Sequence, residues 1–129
     1  VEVKMIKRIV GKVVHGKKHG KKLGFPTANI KPFDPNDLLI KHGAYVSLII
    51  IQFQPYMALT SIEKALTFDA EEIKIEPHIL DFNKNIYGYY VTVILIKRLR
   101  NMIKFPSSKE LVAQFEKDCV QIRRFFDEN

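Results

Sequence analysis

Cysteine occurs once in these 129 residues, at Cys119, so no internal disulfide can form, and no group of Cys and His has the spacing of a zinc site. Dithiol redox chemistry and zinc chemistry have no support. Long apolar runs are also missing. The longest, Leu48-Ile49-Ile50-Ile51 and Val91-Thr92-Val93-Ile94-Leu95-Ile96, fall well short of the roughly 18 residues that a bilayer-spanning helix requires. Repeats, low-complexity stretches and linkers are absent as well, and the chain reads as a single domain over residues 1–129. The start at Val1-Glu2-Val3-Lys4 lacks the apolar core of a signal peptide, which makes a cytoplasmic location the expectation; without Met it fits an excised piece. Acidic residues are the minority, 14 against 21 Lys and Arg, and the resulting charge of +7 favours an anionic partner. Nucleic acid, an acidic membrane surface and a polyphosphate all meet that description, and the charge alone does not choose among them.

What is present is β character first and a helix last. Segments around Ile9–Val14, Tyr45–Phe53, Tyr56–Ser61, Ile73–Asp81 and Tyr89–Leu99 are rich in β-branched and aromatic residues, which predicts five or six strands. Several are apolar at nearly every position, as strands covered on both faces are, and a closed or nearly closed antiparallel barrel accounts for them. Asn83-Lys84-Asn85 and Tyr87-Gly88 mark a turn into the last strand. Lys31-Pro32-Phe33-Asp34-Pro35-Asn36-Asp37 reads as a loop beside a site. Near the C-terminus the period changes. Leu111, Phe115, Cys119, Ile122 and Phe126 form an apolar helical stripe, and Ser107 with Glu110 after Pro106 writes its N-terminal cap.

The densest chemistry lies between Gly11 and Ile30. Four glycines, two histidines and a run of lysines crowd that stretch, a composition that lets backbone amides approach an anion closely within a positive concavity. It is not a Walker A loop, because Gly16 and Gly20 stand three residues apart and Lys21 is followed by Lys22 rather than Ser or Thr. A basic solubilising hairpin has the same composition. Just beyond it, Thr27 and Asn29 would share a face on an extended backbone and could offer two neutral oxygens to Mg²⁺, although Thr and Asn at that spacing also serve as turn formers. In Ile73–Leu80, Glu76 and His78 share one strand face. Glu76 is placed to accept a proton from a hydroxyl or to pair with a lysine such as Lys74, and His78 is read as a packed structural histidine.

These residues resemble the riboflavin kinase family. Gly11-x-Val13-Val14-His15-Gly16 running through Gly20-x-x-Leu23-Gly24-Phe25-Pro26-Thr27-Ala28-Asn29 is similar to its signature, which also occurs in bifunctional riboflavin kinase/FAD synthetases. Gly43-Ala44-Tyr45, Ile75-Glu76-Pro77-His78-Ile79-Leu80-Asp81-Phe82, Ile86-Tyr87-Gly88 and Leu99-Arg100 with Lys104-Phe105-Pro106-Ser107 continue the likeness in order along nearly the whole chain. The resemblance implies a six-stranded Greek-key antiparallel β-barrel with a C-terminal helix, and an ATP:riboflavin 5′-phosphotransferase that makes FMN and ADP. It assigns ATP binding to Gly16, Lys17, His19, Gly20, Lys22, Gly24, Pro26 and Thr27, the Mg²⁺ to Thr27 and Asn29, and the catalytic base to Glu76. Arg100 and Phe105 are its flavin-side candidates. An adenylyltransferase domain preceding Val1 is compatible with the start of the chain.

Departures from the family pattern are local. Its Asn-Ile-Gly-x-x-Pro-Thr-Phe stands here as Ser61-Ile62-Glu63-Lys64-Ala65-Leu66-Thr67-Phe68, and its Arg-x-Glu as Arg100-Asn101-Met102. Glu63 and Leu66 replace backbone-shaping residues, and Met102 replaces a carboxylate that would hold Arg100 or meet the flavin. Two other readings follow from the same residues. One is a flavin- or nucleotide-binding module without turnover. The other is a small basic barrel binding single-stranded nucleic acid through Lys12–Lys22 and Tyr45, Tyr87, Tyr89 and Tyr90, which leaves Thr27, Asn29 and Glu76 without a role. No nucleic acid and no membrane partner are expected under the kinase reading.

Overall fold

In a computed structural model, residues 5–15, 28–34, 36, 39–66 and 71–129 are described. They form β1 (Lys7–His15), β2 (Ala28–Pro32), β3 (Gly43–Ile51), β4 (Gln54–Leu66), β5 (Glu71–Ile79), β6 (Tyr90–Arg100) and α1 (Ser108–Glu128). The strands pair antiparallel in the order β2-β1-β6-β3-β4-β5, and the two outer strands, β2 and β5, lie against each other. The sheet thus curls into a nearly closed barrel. β3, β4 and β5 follow one another directly and β6 returns beside β3, which is the Greek-key arrangement.

Alternation decides what fills the barrel. Ile9 and Val13 of β1, Ile49 of β3, Ile62 of β4, Ile75 of β5 and Val93 and Leu95 of β6 point inward and are at most 1% exposed. Each such side chain contributes about 1.5–3 kcal/mol by leaving water. Two hydroxyls share this interior. Ser47 and Thr60 are joined at 2.7 Å and Ser47 also donates to the Ala58 carbonyl at 2.8 Å, so neither is left unpaired.

β3 is covered on both faces, as its continuous apolar run predicts. Its outward residues Ala44 and Val46 join Leu59, Leu80 and Ile122 under α1. The helix begins where the sequence places it, with Ser107 extended and its hydroxyl accepting from the Glu110 amide at 3.3 Å. Within its apolar stripe sits an acid that sequence reading passed over. Asp118 is 1% exposed and accepts from Arg100 of β6 through both carboxylate oxygens, Nε to Oδ1 at 3.0 Å and Nη2 to Oδ2 at 2.7 Å. Gln114 donates to Oδ1 at 3.0 Å. A second fork, from exposed Arg123 to Asp81 at 2.8 and 2.9 Å, ties α1 to the end of β5.

Three local outcomes differ from the sequence reading. β2 is a strand where only an extended stretch leading into a loop is expected, and Lys31 and Pro32 belong to it. The strand predicted to run to Phe53 stops at Ile51, because Gln52 and Phe53 turn the β3–β4 hairpin with φ of 48° and 69°. Gly11 belongs to the barrel wall rather than to an anion cradle. A Cβ there would press into the Lys31 carbonyl oxygen and stand 2.8 Å from Ile30 Cγ2.

Two outcomes test this packing. Gly11→Ala lowers unfolding stability by about 1–3 kcal/mol, since the ladder to β2 must give way. Asp118→Ala costs about 3 kcal/mol by stranding Arg100, whereas the double change Arg100→Leu/Asp118→Leu recovers most of the loss. Urea denaturation measures all three proteins, and equal losses in the single and double variants would show that the ion pair is not what holds the helix.

Candidate active site

The chemistry-bearing side chains stand on the outside of the two strands that meet at the barrel's seam. On β2, Ala28 and Ile30 turn inward and Asn29 between them turns outward, opposite Val14. Its Oδ1 is buried and has no hydrogen-bond partner among the described residues. A buried amide oxygen without a donor is costly to leave so, and it suits a site that a cation or a donor completes. On β5, Lys74, Glu76 and His78 share the outward face while Ile75 and Pro77 are buried beneath them. Pro77 is tolerated because β5 lies at the edge of the hydrogen-bonded order.

Burial pushes the Glu76 carboxyl above the usual carboxylate range; Lys74 opposes the shift and Glu63 adds to it. Glu63 faces Lys74 across the β4–β5 ladder, two residues from Ser61, which stands opposite Glu76. The residue that replaces the family's glycine therefore lies in a regularly paired strand without positive φ, and its effect is electrostatic. His78 is pushed down to about 4 by burial and then by Arg100, with Asp118 opposing. At neutral pH its Nε2, 3.7 Å from Glu76 Oε1, belongs to an uncharged ring. That ring meets Phe115 of α1 edge-on at 5.7 Å, which agrees with a packed histidine.

Of the residues assigned to ATP, Gly16, Lys17, His19, Gly20, Lys22, Gly24, Pro26 and Thr27 lie outside the described residues. Their flanks are placed. His15 pairs with Ala28, so the chain leaves β1 and re-enters β2 side by side, directly next to Asn29. The His15 ring stacks on Tyr87 at 3.6 Å, and the Gly88 amide donates to the Val13 carbonyl at 2.8 Å, which fixes the Tyr87-Gly88 turn against the end of β1. Arg100 donates to the Asp118 carboxylate of α1, at 3.0 Å from Nε and 2.7 Å from Nη2. Phe105 lies half-buried in the connection from β6 to α1.

Among the described residues no three His, Cys, Asp or Glu side chains cluster as a metal site. The donor available is the neutral hard oxygen of Asn29. That donor fits Mg²⁺, which keeps water and phosphate oxygens as most of its ligands, and does not fit a metal needing an all-protein cage.

A family model described as flavokinase, riboflavin kinase, matches residues 5–126. The chain belongs to the riboflavin kinase family. A bifunctional riboflavin kinase/FMN adenylyltransferase of Haemophilus influenzae is 36% identical over 121 residues, covering 93% of this chain and 39% of that protein. The chain thus spans about two-fifths of the length of the curated relatives it matches. The crystal structure of riboflavin kinase from Trypanosoma brucei has a TM-score of 0.67 at 28% identity, over 93% of this chain and 76% of that one. A Streptococcus pneumoniae structure described as a macrolide-efflux protein has a TM-score of 0.82 at 41% identity, over 90% of this chain and 38% of that one. Among the described residues no helix is long and apolar enough to cross a membrane. Riboflavin kinase membership does not support the reading as a nucleic-acid-binding barrel.

The carboxylate environment yields a direct measurement. Above its raised pKa Glu76 is charged, and that form is lost as pH falls through it. By carbon-13 NMR titration, Glu76 titrates above an ordinary glutamate. Glu63→Gln moves its midpoint down, and Lys74→Gln moves it up. Movement in the opposite directions would refute this account of the shift.

Proposed function

We propose that this chain transfers the γ-phosphate of ATP to the 5′-hydroxyl of riboflavin, giving FMN and ADP. One observation carries the reading: a buried amide oxygen at Asn29, without a hydrogen-bond partner among the described residues, and a half-buried carboxylate at Glu76 stand outward on the two strands that meet at the seam. The glycine- and lysine-rich connection joins the strand ends beside Asn29.

In this mechanism the backbone amides of 16–24, with Lys17, His19 and Lys22, cradle the triphosphate. Asn29 and Thr27 would hold Mg²⁺, which would supply charge neutralisation at the phosphate oxygens. Glu76 orients the riboflavin hydroxyl. As its oxygen bonds to the γ-phosphorus and the bond from that phosphorus to the ADP oxygen breaks, the hydroxyl proton passes to the Glu76 carboxylate. The burial that raises this carboxyl also makes its ionised form a stronger base. Arg100, at the end of β6, and Phe105 border the flavin, Arg100 being anchored from behind by Asp118. Where the kinase is fused to an adenylyltransferase, as in bifunctional relatives, FMN made here is the substrate of the next step.

The test is mass-spectrometric detection of FMN after incubation with riboflavin and Mg-ATP. Glu76→Gln keeps the size of the side chain but not its basicity. Turnover falls by about 10²–10⁴, with apparent affinities for ATP and riboflavin little changed. Absence of FMN across several divalent metals would reduce the chain to a binding module. Wild-type turnover in Glu76→Gln would remove that residue from the chemistry.

A further inference from the structure

Glu76 needs a neighbour that fixes where its carboxylate points, because a glutamate side chain on an outer strand face has free rotamers unless something restrains them. Among the described residues, the side chain within ion-pairing distance of it is His78, with Nε2 3.7 Å from Oε1. The two project from the same face of β5 two residues apart, so the strand itself sets their spacing. Both are largely withdrawn from water, with side-chain exposures of 27% for Glu76 and 21% for His78. The imidazole is held in turn. Phe115 of α1 meets it edge-on, and α1 is locked to β6 by the buried Arg100–Asp118 pair. Among the described residues no side-chain hydrogen bond is made by the His78 ring, which meets Glu76 and Phe115.

We infer that His78 is a positioning residue, which steers the Glu76 carboxylate toward the reacting hydroxyl through its Nε2 edge while Phe115 fixes the ring. The inference rests on the reading of Glu76 as the base. A separation of 3.7 Å is longer than a hydrogen bond, and contacts of this kind tighten in the substrate complex. The charge state suits the task. An imidazolium beside Glu76 would stabilise the carboxylate and weaken it as a base, whereas burial and the neighbouring Arg100 keep this ring neutral at physiological pH. A neutral donor orients the carboxylate without that cost. The chain of contacts Asp118–Arg100, Phe115–His78 and His78–Glu76 also gives α1 a role in the reaction although the helix carries no catalytic residue.

The test compares two replacements that a packing role and a positioning role rank oppositely. His78→Phe keeps an aromatic ring against Phe115 but has no donor, whereas His78→Gln loses the ring and keeps a neutral amide donor close to the position of Nε2. In steady-state kinetics with riboflavin and Mg-ATP, His78→Phe is expected to lower kcat by about tenfold with both KM values unchanged, and His78→Gln to recover most of it. In a Glu76→Gln background, followed by single turnover, His78→Phe adds no further loss, because the effect passes through the carboxylate. Thermal melts confirm folding, and His78→Met, which also lacks a donor, stands in if His78→Phe does not fold. Full kcat in His78→Phe, no recovery in His78→Gln, or an undiminished loss in the Glu76→Gln background would each overturn the inference. Wild-type turnover in Glu76→Gln alone would overturn the base assignment and this inference with it. An inactive Glu76→Gln beside a fully active His78→Phe would overturn the positioning role only.

Discussion

A six-stranded barrel encloses only enough space for its own side chains, and here Ile9, Ile49, Ile62, Ile75, Val93 and Leu95 take up that space. These inward positions are thus apolar, and the candidate site residues Asn29 and Glu76 stand on the outer surface. Because strand side chains alternate with a period of two, the same packing that drives Ile75 inward drives Glu76 outward, and Ile30 does likewise for Asn29. A slip of one residue in either strand would exchange the candidate site groups for core groups. Core packing and site geometry are therefore one constraint.

Onto this barrel α1 docks with a buried acid rather than a purely apolar face. Asp118 and Arg100 satisfy one another with well-formed hydrogen bonds, and Gln114 takes part of the remaining acceptor capacity. The helix shields the outward face of β3 and β4, and Phe115 reaches His78 on β5. That shielding is why two titratable groups on a nominally exterior surface are displaced in opposite directions, Glu76 upward and His78 downward, both chiefly by burial. At neutral pH this leaves an ionisable carboxylate beside an uncharged imidazole.

Much of this was legible in the sequence, and the exceptions have physical reasons. Long β-branched strands and the apolar helical stripe are written in periodicity, and the alternation of Ile75 and Glu76 places the candidate base correctly on a shared face with His78. β2 is hard to read from the sequence because Ala28-Asn29-Ile30-Lys31-Pro32 has little β propensity of its own and is held by its register with β1. The turn at Gln52-Phe53 leaves no clear mark in the sequence because neither residue is a usual choice for positive φ. Asp118 was the discoverable omission. It falls three residues after Phe115 and four before Ile122, so it lies on the docked face, and a charge there calls for a buried counterion. Glu63 replaces a backbone-shaping residue of the family pattern, yet β4 passes through it in regular pairing without positive φ, and its charge helps to raise Glu76.

Among the described residues, no hydrogen-bonded ladder joins β2 to β5, although the two lie side by side. Asn29 and Glu76 stand on opposite banks of that join, which makes the barrel a clasp rather than a closed ring. Widening it separates apolar surfaces, at about 25 cal/mol per Å² exposed, without breaking a single ladder bond. The ladders fix where Asn29 and Glu76 sit along their own strands, opposite Val14 and Ser61, while the distance across the join is left to packing, so the reach of the site can change while every strand keeps its register.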